Sequence, residues 1–206
     1  MKVLDFFKKN KEYNFIKNND LENWWNNNFS ERERKIIISE SAYLLQNNSK
    51  KTAARTLYLL AGNVITKFYN QNQEVVIRIL NKAAELSDEP MELFEIYAQL
   101  IKLYSDRENE DKKNKEKIIK LCKKQITISE DVLKILKSKD HEAQKSSYPA
   151  HIGYQKLALI RFREGNKEKA VHLLKKAKKA NWKGDWDQIL TEFNSNEEKN
   201  KDLLIS

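Results

Sequence analysis

Histidine and cysteine are the side chains that most readily bind metals or act as acid, base or nucleophile near neutral pH, and this chain has three of the first and one of the second. His141, His151 and His172 fall in separate predicted segments. None has a second histidine four residues away, the spacing that sets two ligands on one helical face. His141, beside Glu142 and near Lys139, Asp140 and Lys145, reads as part of a solvated charge cluster, and His172, between Val171 and Leu173, as a surface or groove residue. Cys122 reads as a small core residue, and a single cysteine excludes an intrachain disulfide or a multi-cysteine zinc site. No Gly-rich phosphate loop and no Gly-x-Ser-x-Gly elbow occurs. The expectation is a protein that is not an enzyme and needs no cofactor or metal; the enzymatic alternative centres on His141 or His151.

Charge is the second chemistry on offer. The net charge is +9, and it is unevenly spread: residues 107 to 183 carry 22 Lys+Arg against 10 Asp+Glu, a balance of +12, which leaves −3 for the rest. Tyr148, Tyr154, Phe162, Trp182 and Trp186 lie in or beside that block. Lysines interleaved with aromatics are what a single-stranded nucleic acid needs for phosphate neutralisation and base stacking, so a nucleic-acid binder using residues 107 to 183 is one expectation. The same lysines also surround an apolar stripe, which suits a plain solvated face or an acidic protein partner. The chain is rich in Asn, Lys and Ile, whose codons are AT-rich, so part of the basicity can reflect the genome of an AT-rich bacterium or its mobile element.

The elements that would position these residues are helices. Only 4 Gly and 2 Pro occur in 206 residues, too few turn formers for a β-sandwich or barrel. Hydrophobic residues make up 40% and charged residues 33%. No apolar run approaches the ~20 residues of a membrane span, and the first twenty residues lack the apolar stretch of a signal peptide, so a reducing cytoplasm is the expected compartment. The 3.6-residue period predicts helices over 30–46, 50–69, 73–86, 91–105, 111–128, 130–145, 149–163, 167–180 and 186–193. Ser30 and Glu33 have capping-box spacing, and Ser129 is the expected N-cap that splits two helices. Short links between consecutive helices favour antiparallel neighbours.

Part of the chain repeats. Asn114-Lys115-Glu116-Lys117 recurs as Asn166-Lys167-Glu168-Lys169, each followed at the same distance by a lysine pair, Lys123-Lys124 and Lys175-Lys176. Between these anchors Ile118 matches Ala170, Ile119 matches Val171, Leu121 matches Leu173 and Cys122 matches Leu174. A third copy begins at Asn72, where Glu74, Val76, Ile77, Leu80 and Ala83 match Glu168, Ala170, Val171, Leu174 and Ala177. In the last copy, Leu157, Ala158, Gly165, Ala170, Leu174 and Ala177 resemble the spaced positions of the tetratricopeptide repeat, a helix-turn-helix unit of about 34 residues. The resemblance is clearest over residues 149 to 182, looser in the units ending near Leu86 and Ile128, and absent from residues 1 to 48. Arg161 stands where that family has an aromatic, Trp182 where it has proline, and about six extra residues lie between Ser105 and Lys113. The stretch 181 to 186 also resembles uncharacterised bacterial and phage repeat proteins.

The resemblance implies an all-α fold, an irregular right-handed solenoid of antiparallel helical hairpins over residues 49 to 196. A helical cap or docking segment over 1 to 48 would precede it and a flexible tail over 197 to 206 would follow. It implies a groove lined by the first helix of each unit: Tyr58, Ala61, Ile65, Phe68 and Tyr69, then Phe94, Tyr97, Ile101, Tyr104 and Ser105, then Ile152, Gln155, Leu159, Phe162 and Arg163. Phe94, Tyr97, Ile101, Tyr104, Gln155, Leu159, Phe162 and Arg163 are the expected partner contacts. A phase shift of one residue, about 100°, would instead return Phe68, Tyr104 and Phe162 to the core. The implied function is noncovalent binding of a protein or peptide.

Overall fold

The computed structural model describes residues 11–46, 51–68, 73–108, 111–139 and 148–205. The fold is all-α: eleven helices and one short two-stranded pairing occur among the described residues. The chain divides into two compact units, Met1–Ile96 and Tyr97–Ser206.

The first unit contains α1 (Lys11–Asn18), α2 (Glu22–Asn28), α3 (Glu31–Gln46), α4 (Ala53–Phe68), α5 (Gln73–Leu86) and the opening turns of α6 (Pro90–Asp106). Asp20 closes α1 in the left-handed region at φ 55°, with Asp20 N–H on the Lys17 carbonyl and Leu21 N–H on that of Ile16. That pair of bonds is a Schellman motif, and the buried Ile16 and Leu21 side chains accompany it. The box at the start of α3 is reciprocal: Ser30 N–H donates to the Glu33 carboxylate at 2.7 Å, and Glu33 N–H donates to Ser30 Oγ at 3.3 Å. Arg78 of α5 adds a charged hydrogen bond to Glu33 at 2.9 Å and reaches the Asn28 carbonyl, its guanidinium lying over the Phe29 ring. Burial pulls the Glu33 carboxyl upward, but the Ser30 hydrogen bonds and Arg78 outweigh it and hold the group below its ordinary value. Thr52 caps α4 by accepting from Arg55 N–H at 3.0 Å. Leu57, Leu60, Ala61, Val64 and Phe68 form the buried stripe of α4, which packs on α3 and α5. Each large aliphatic side chain buried this way stabilises the fold by about 1.5–3 kcal/mol.

The second unit takes in the rest of α6, then α7 (Lys112–Thr127), α8 (Ser129–Lys139), β1 (Tyr148–Ala150), α9 (Ile152–Arg163), α10 (Lys167–Lys179), β2 (Trp182–Lys183) and α11 (Trp186–Ile205). Two cation–π contacts pair α6 with α7: Lys117 Nζ lies 4.9 Å from the Tyr104 ring centroid and Lys124 Nζ 5.6 Å from that of Tyr97. Seven residues back along α6 correspond to seven forward along α7, so these two segments run in opposite directions. Helix α9 packs on both α7 and α10, and α10 on α11. Gly165 ends α9 at φ 76°, with its N–H on the Phe162 carbonyl and Asn166 N–H on that of Arg161. Asn166 then caps α10 by accepting from Lys169 N–H at 3.4 Å.

The three repeated segments bury the same register. Val76, Leu80 and Ala83 on α5, Ile118, Cys122 and Gln125 on α7, and Ala170, Leu174 and Ala177 on α10 are each buried at i, i+4 and i+7. Within that register α7 starts earlier than α10. Asp111 caps it through Lys113 N–H at 2.9 Å, and Asn114, the counterpart of the capping Asn166, sits inside the helix with its amide on the Arg107 carbonyl.

Three sequence-based boundaries differ. Pro149 does not open α9: Tyr148–Ala150 pairs in parallel with Trp182–Lys183, tying the start of the α9–α10 pair to its end. Ser129 does not act as the N-cap of α8; its hydroxyl donates back to the Gln125 carbonyl at 3.0 Å, for reasons that lie with His151. Helix α11 continues past Phe193 to Ile205, as no Gly or Pro interrupts residues 186 to 205. Residues 1–10 and 47–48 of the expected amino-terminal segment, with Tyr69 and His141, lie outside the described residues.

Candidate functional site

Helices α7, α9 and α10 border an open cleft of about 510 Å³. Its lining is Lys123 from α7, Leu157 and Arg161 from α9, and Glu168, Lys169, His172 and Leu173 from α10. The two leucines supply an aliphatic floor; Lys123, Arg161 and Lys169 set three cations around it against the one carboxylate of Glu168. Glu164 anchors Arg161 at 2.6 Å and also holds Lys115 at 2.9 Å, a link between α9 and α7. The hydrogen bonds from Lys115 and Arg161 keep the Glu164 carboxyl below its ordinary value.

A second cluster is closed to solvent. His151 is 1% exposed and caps α9, its Nδ1 accepting from Tyr154 N–H at 3.3 Å. An accepting Nδ1 puts the imidazole proton on Nε2, which lies 2.7 Å from Ser129 Oγ. That hydroxyl spends its single proton on the Gln125 carbonyl, so it accepts from the imidazole. The Gln125 side-chain oxygen in turn accepts from Gly153 N–H at 2.8 Å. The chain of bonds thus joins the ends of α7 and α9 and explains the departure of Ser129 from capping. Tyr154 and Trp182 wall the imidazole at centroid distances of 4.4 and 4.9 Å. Burial pushes the His151 pKa down to about 3, against a smaller upward pull from the backbone. The cluster is therefore neutral at physiological pH. It holds helices together; with every one of these bonds internal, it offers no aqueous reactant a place.

The expected groove residues occupy several environments. Phe94, Tyr97, Ile101 and Tyr104 on α6 are buried. On α9, Gln155, Leu159 and Phe162 are half-buried and Arg163 is exposed. Phe162 stacks on Phe193 at 3.9 Å and 3°, and Arg163 lies 3.8 Å from the Glu108 carboxylate, which also takes Lys156 at 2.8 Å. Residues two apart on a helix differ by about 200°, so Leu157 and Arg161 of the cleft face away from Gln155, Leu159 and Arg163. His172 is exposed and lines the cleft. Cys122 is fully buried, and burial pushes its thiol up to about 12. Among the described residues no group of three or more His, Cys, Asp or Glu is placed to hold a metal ion, and no helix is long and apolar enough to cross a membrane.

The cleft was not singled out from the sequence, although two of its residues carried a signal. Arg161 breaks the tetratricopeptide pattern where an aromatic is usual, and His172 reads as a surface or groove residue. Neither a protein-family model, nor a curated protein, nor a solved structure matches this chain.

Proposed function

We propose that this chain is a noncovalent binding module of the tetratricopeptide-like helical-repeat class, acting without catalysis in the cytoplasm on a protein or peptide partner. The observation that carries the reading is the cleft of α7, α9 and α10: an aliphatic floor inside a cationic rim, on helices whose ends are tied by caps, a strand pairing and a buried hydrogen-bond chain. A surface fixed in this way leaves most of the ordering entropy on binding to the partner. The repeat class is supported by the shared burial register of α5, α7 and α10, by the opposed directions of α6 and α7, and by the glycine turn at Gly165. A row of antiparallel hairpins in a right-handed solenoid is the arrangement these features suit.

Selection of a random 16-residue peptide display library on the immobilised full-length chain tests the reading. Enriched peptides that bind the free protein with dissociation constants of about 10 μM or tighter are the expected result. No enrichment, together with tight binding of single-stranded or duplex oligonucleotides that falls steeply with added salt, would overturn it in favour of a nucleic-acid binder using residues 107 to 183.

A further inference from the structure

The three cations of the cleft are not equally committed. Arg161 is tied to Glu164 at 2.6 Å, and Glu164 is also held by Lys115. The ammonium groups of Lys123 and Lys169 enter no ion pair or hydrogen bond among the described residues, although both side chains border the same cleft from different helices. The same lining includes Leu157, which is 5% exposed, and the half-buried Leu173. Two uncommitted positive charges thus border an aliphatic surface, with Arg161 held in place beside it and Glu168 the one carboxylate in the lining, so the balance at the rim stays positive.

A ligand that satisfies this arrangement has to offer carboxylates to the rim and a branched aliphatic group to the floor. The volume of about 510 Å³ falls within the ~300–1,000 Å³ typical of ligand pockets. The lining holds no Phe, Tyr or Trp; its one ring is the imidazole of His172. An extended or helical peptide with Leu, Ile or Val between Asp or Glu residues meets both demands, because its acidic and aliphatic side chains can alternate at the spacing of adjacent helices.

We propose that the cleft between α7, α9 and α10 receives an acidic peptide segment, its aliphatic side chain seated on Leu157 and Leu173 and its flanking carboxylates on Lys123 and Lys169. This rests on the binding-module reading above and adds the chemistry of the partner and the place where it docks. The rim steers the approach of an acidic segment and the floor fixes its register, so charge and shape select together.

Three fluorescein-labelled 12-residue peptides test it by anisotropy on the full-length protein: one with leucines between glutamates, one with serine for each leucine, and one with lysine for each glutamate. The first is expected to bind at least tenfold more tightly than either of the others, and the Lys123→Glu/Lys169→Glu variant to bind it at least tenfold more weakly than the parent protein. Both lysines are exposed, so the variant keeps its helical circular dichroism and melting temperature. Leu173→Ser supplies an independent arm, expected to weaken the leucine peptide and leave the serine peptide unchanged. Equal binding of the leucine and serine peptides, preference for the lysine peptide, absence of binding to all three, or indifference to the double variant would overturn the proposal. Peptides enriched from the random library that bind parent and double variant alike would remove this docking site while leaving the binding-module reading intact; a library without enrichment, together with salt-sensitive binding of oligonucleotides, would remove both.

Discussion

Replacing His151 by asparagine should remove a large part of the acid sensitivity of the second unit. Asparagine is a good N-cap and can accept from Tyr154 N–H as Nδ1 does, so the start of α9 is preserved, but the titrating ring and its bond to Ser129 are gone. In the folded chain the imidazole pKa is about 3, against 6.5 for the unperturbed group. Between those values the unfolded chain binds a proton that the folded chain does not, so stability rises with pH across the window. The contribution is whole above the unfolded value, is lost progressively as the pH falls below it, and is gone near the folded value. At about 1.4 kcal/mol per pH unit, the loss attributable to His151 is about 2 kcal/mol by pH ~5 and about 4 kcal/mol if acidification reached the folded pKa. The assay is urea unfolding of parent and His151→Asn proteins at about pH 7.5 and about pH 5, with the difference between the two proteins cancelling carboxylates common to both. The parent should lose about 2 kcal/mol more than the variant over that interval. Parallel losses would refute the argument that a neutral imidazole is sealed between α7, α8 and α9.

Three further perturbations probe the same packing. Gly153→Ala would set a methyl group 2.7 Å from the Gln125 side-chain oxygen and 3.2 Å from the Cys122 carbonyl, so thermal melting should show a destabilisation of about 1–3 kcal/mol. The Cys122 thiol, buried and held near pKa 12, should stay unreactive toward a disulfide reagent in the native protein and react fully in denaturant. Rapid native labelling would show that α7 opens. Tyr97→Ala should lower stability by about 3 kcal/mol in urea unfolding, since the ring is 7% exposed beneath Lys124; an unchanged midpoint would mark Tyr97 as an accessible groove contact instead.

Local chemistry was the most legible part of the fold. Ser30 and Glu33 announce their box because both partners lie within one turn, and the span of α5 follows from its apolar period alone. Gly165 likewise marks its turn, as only a residue without Cβ adopts that backbone at no cost. Features decided by distant residues were not legible. Ser129 looks like a cap until a buried imidazole 22 positions away claims its hydroxyl, and Pro149 looks like a helix opening until Trp182 and Lys183 offer a strand to pair with. Asp20 adopts a left-handed conformation, which Asp tolerates better than most residues but does not require. The cleft escaped notice because periodicity tells which residues share a face but not which neighbour that face meets. On α9 the stripe of Gln155 and Leu159 and the opposite stripe of Leu157 and Arg161 are equally regular, and the packing of α7 and α10 decides that the second lines the open cleft.

The tryptophans supply an optical consequence of the same architecture. Trp24 and Trp25 belong to the first unit and Trp182 and Trp186 to the second, so each unit carries its own pair of fluorophores. Trp182 stands edge-on to His151 at 4.9 Å, and its carbonyl accepts the indole N–H of Trp186 at 2.7 Å. A charged imidazolium quenches a nearby indole more strongly than a neutral imidazole does, so emission from the second pair will dim at the pH where the sealed ring gains its proton. With phenylalanine in place of one pair at a time, the intrinsic fluorescence of this chain becomes two separate clocks, able to show whether its halves unfold in one step or in sequence.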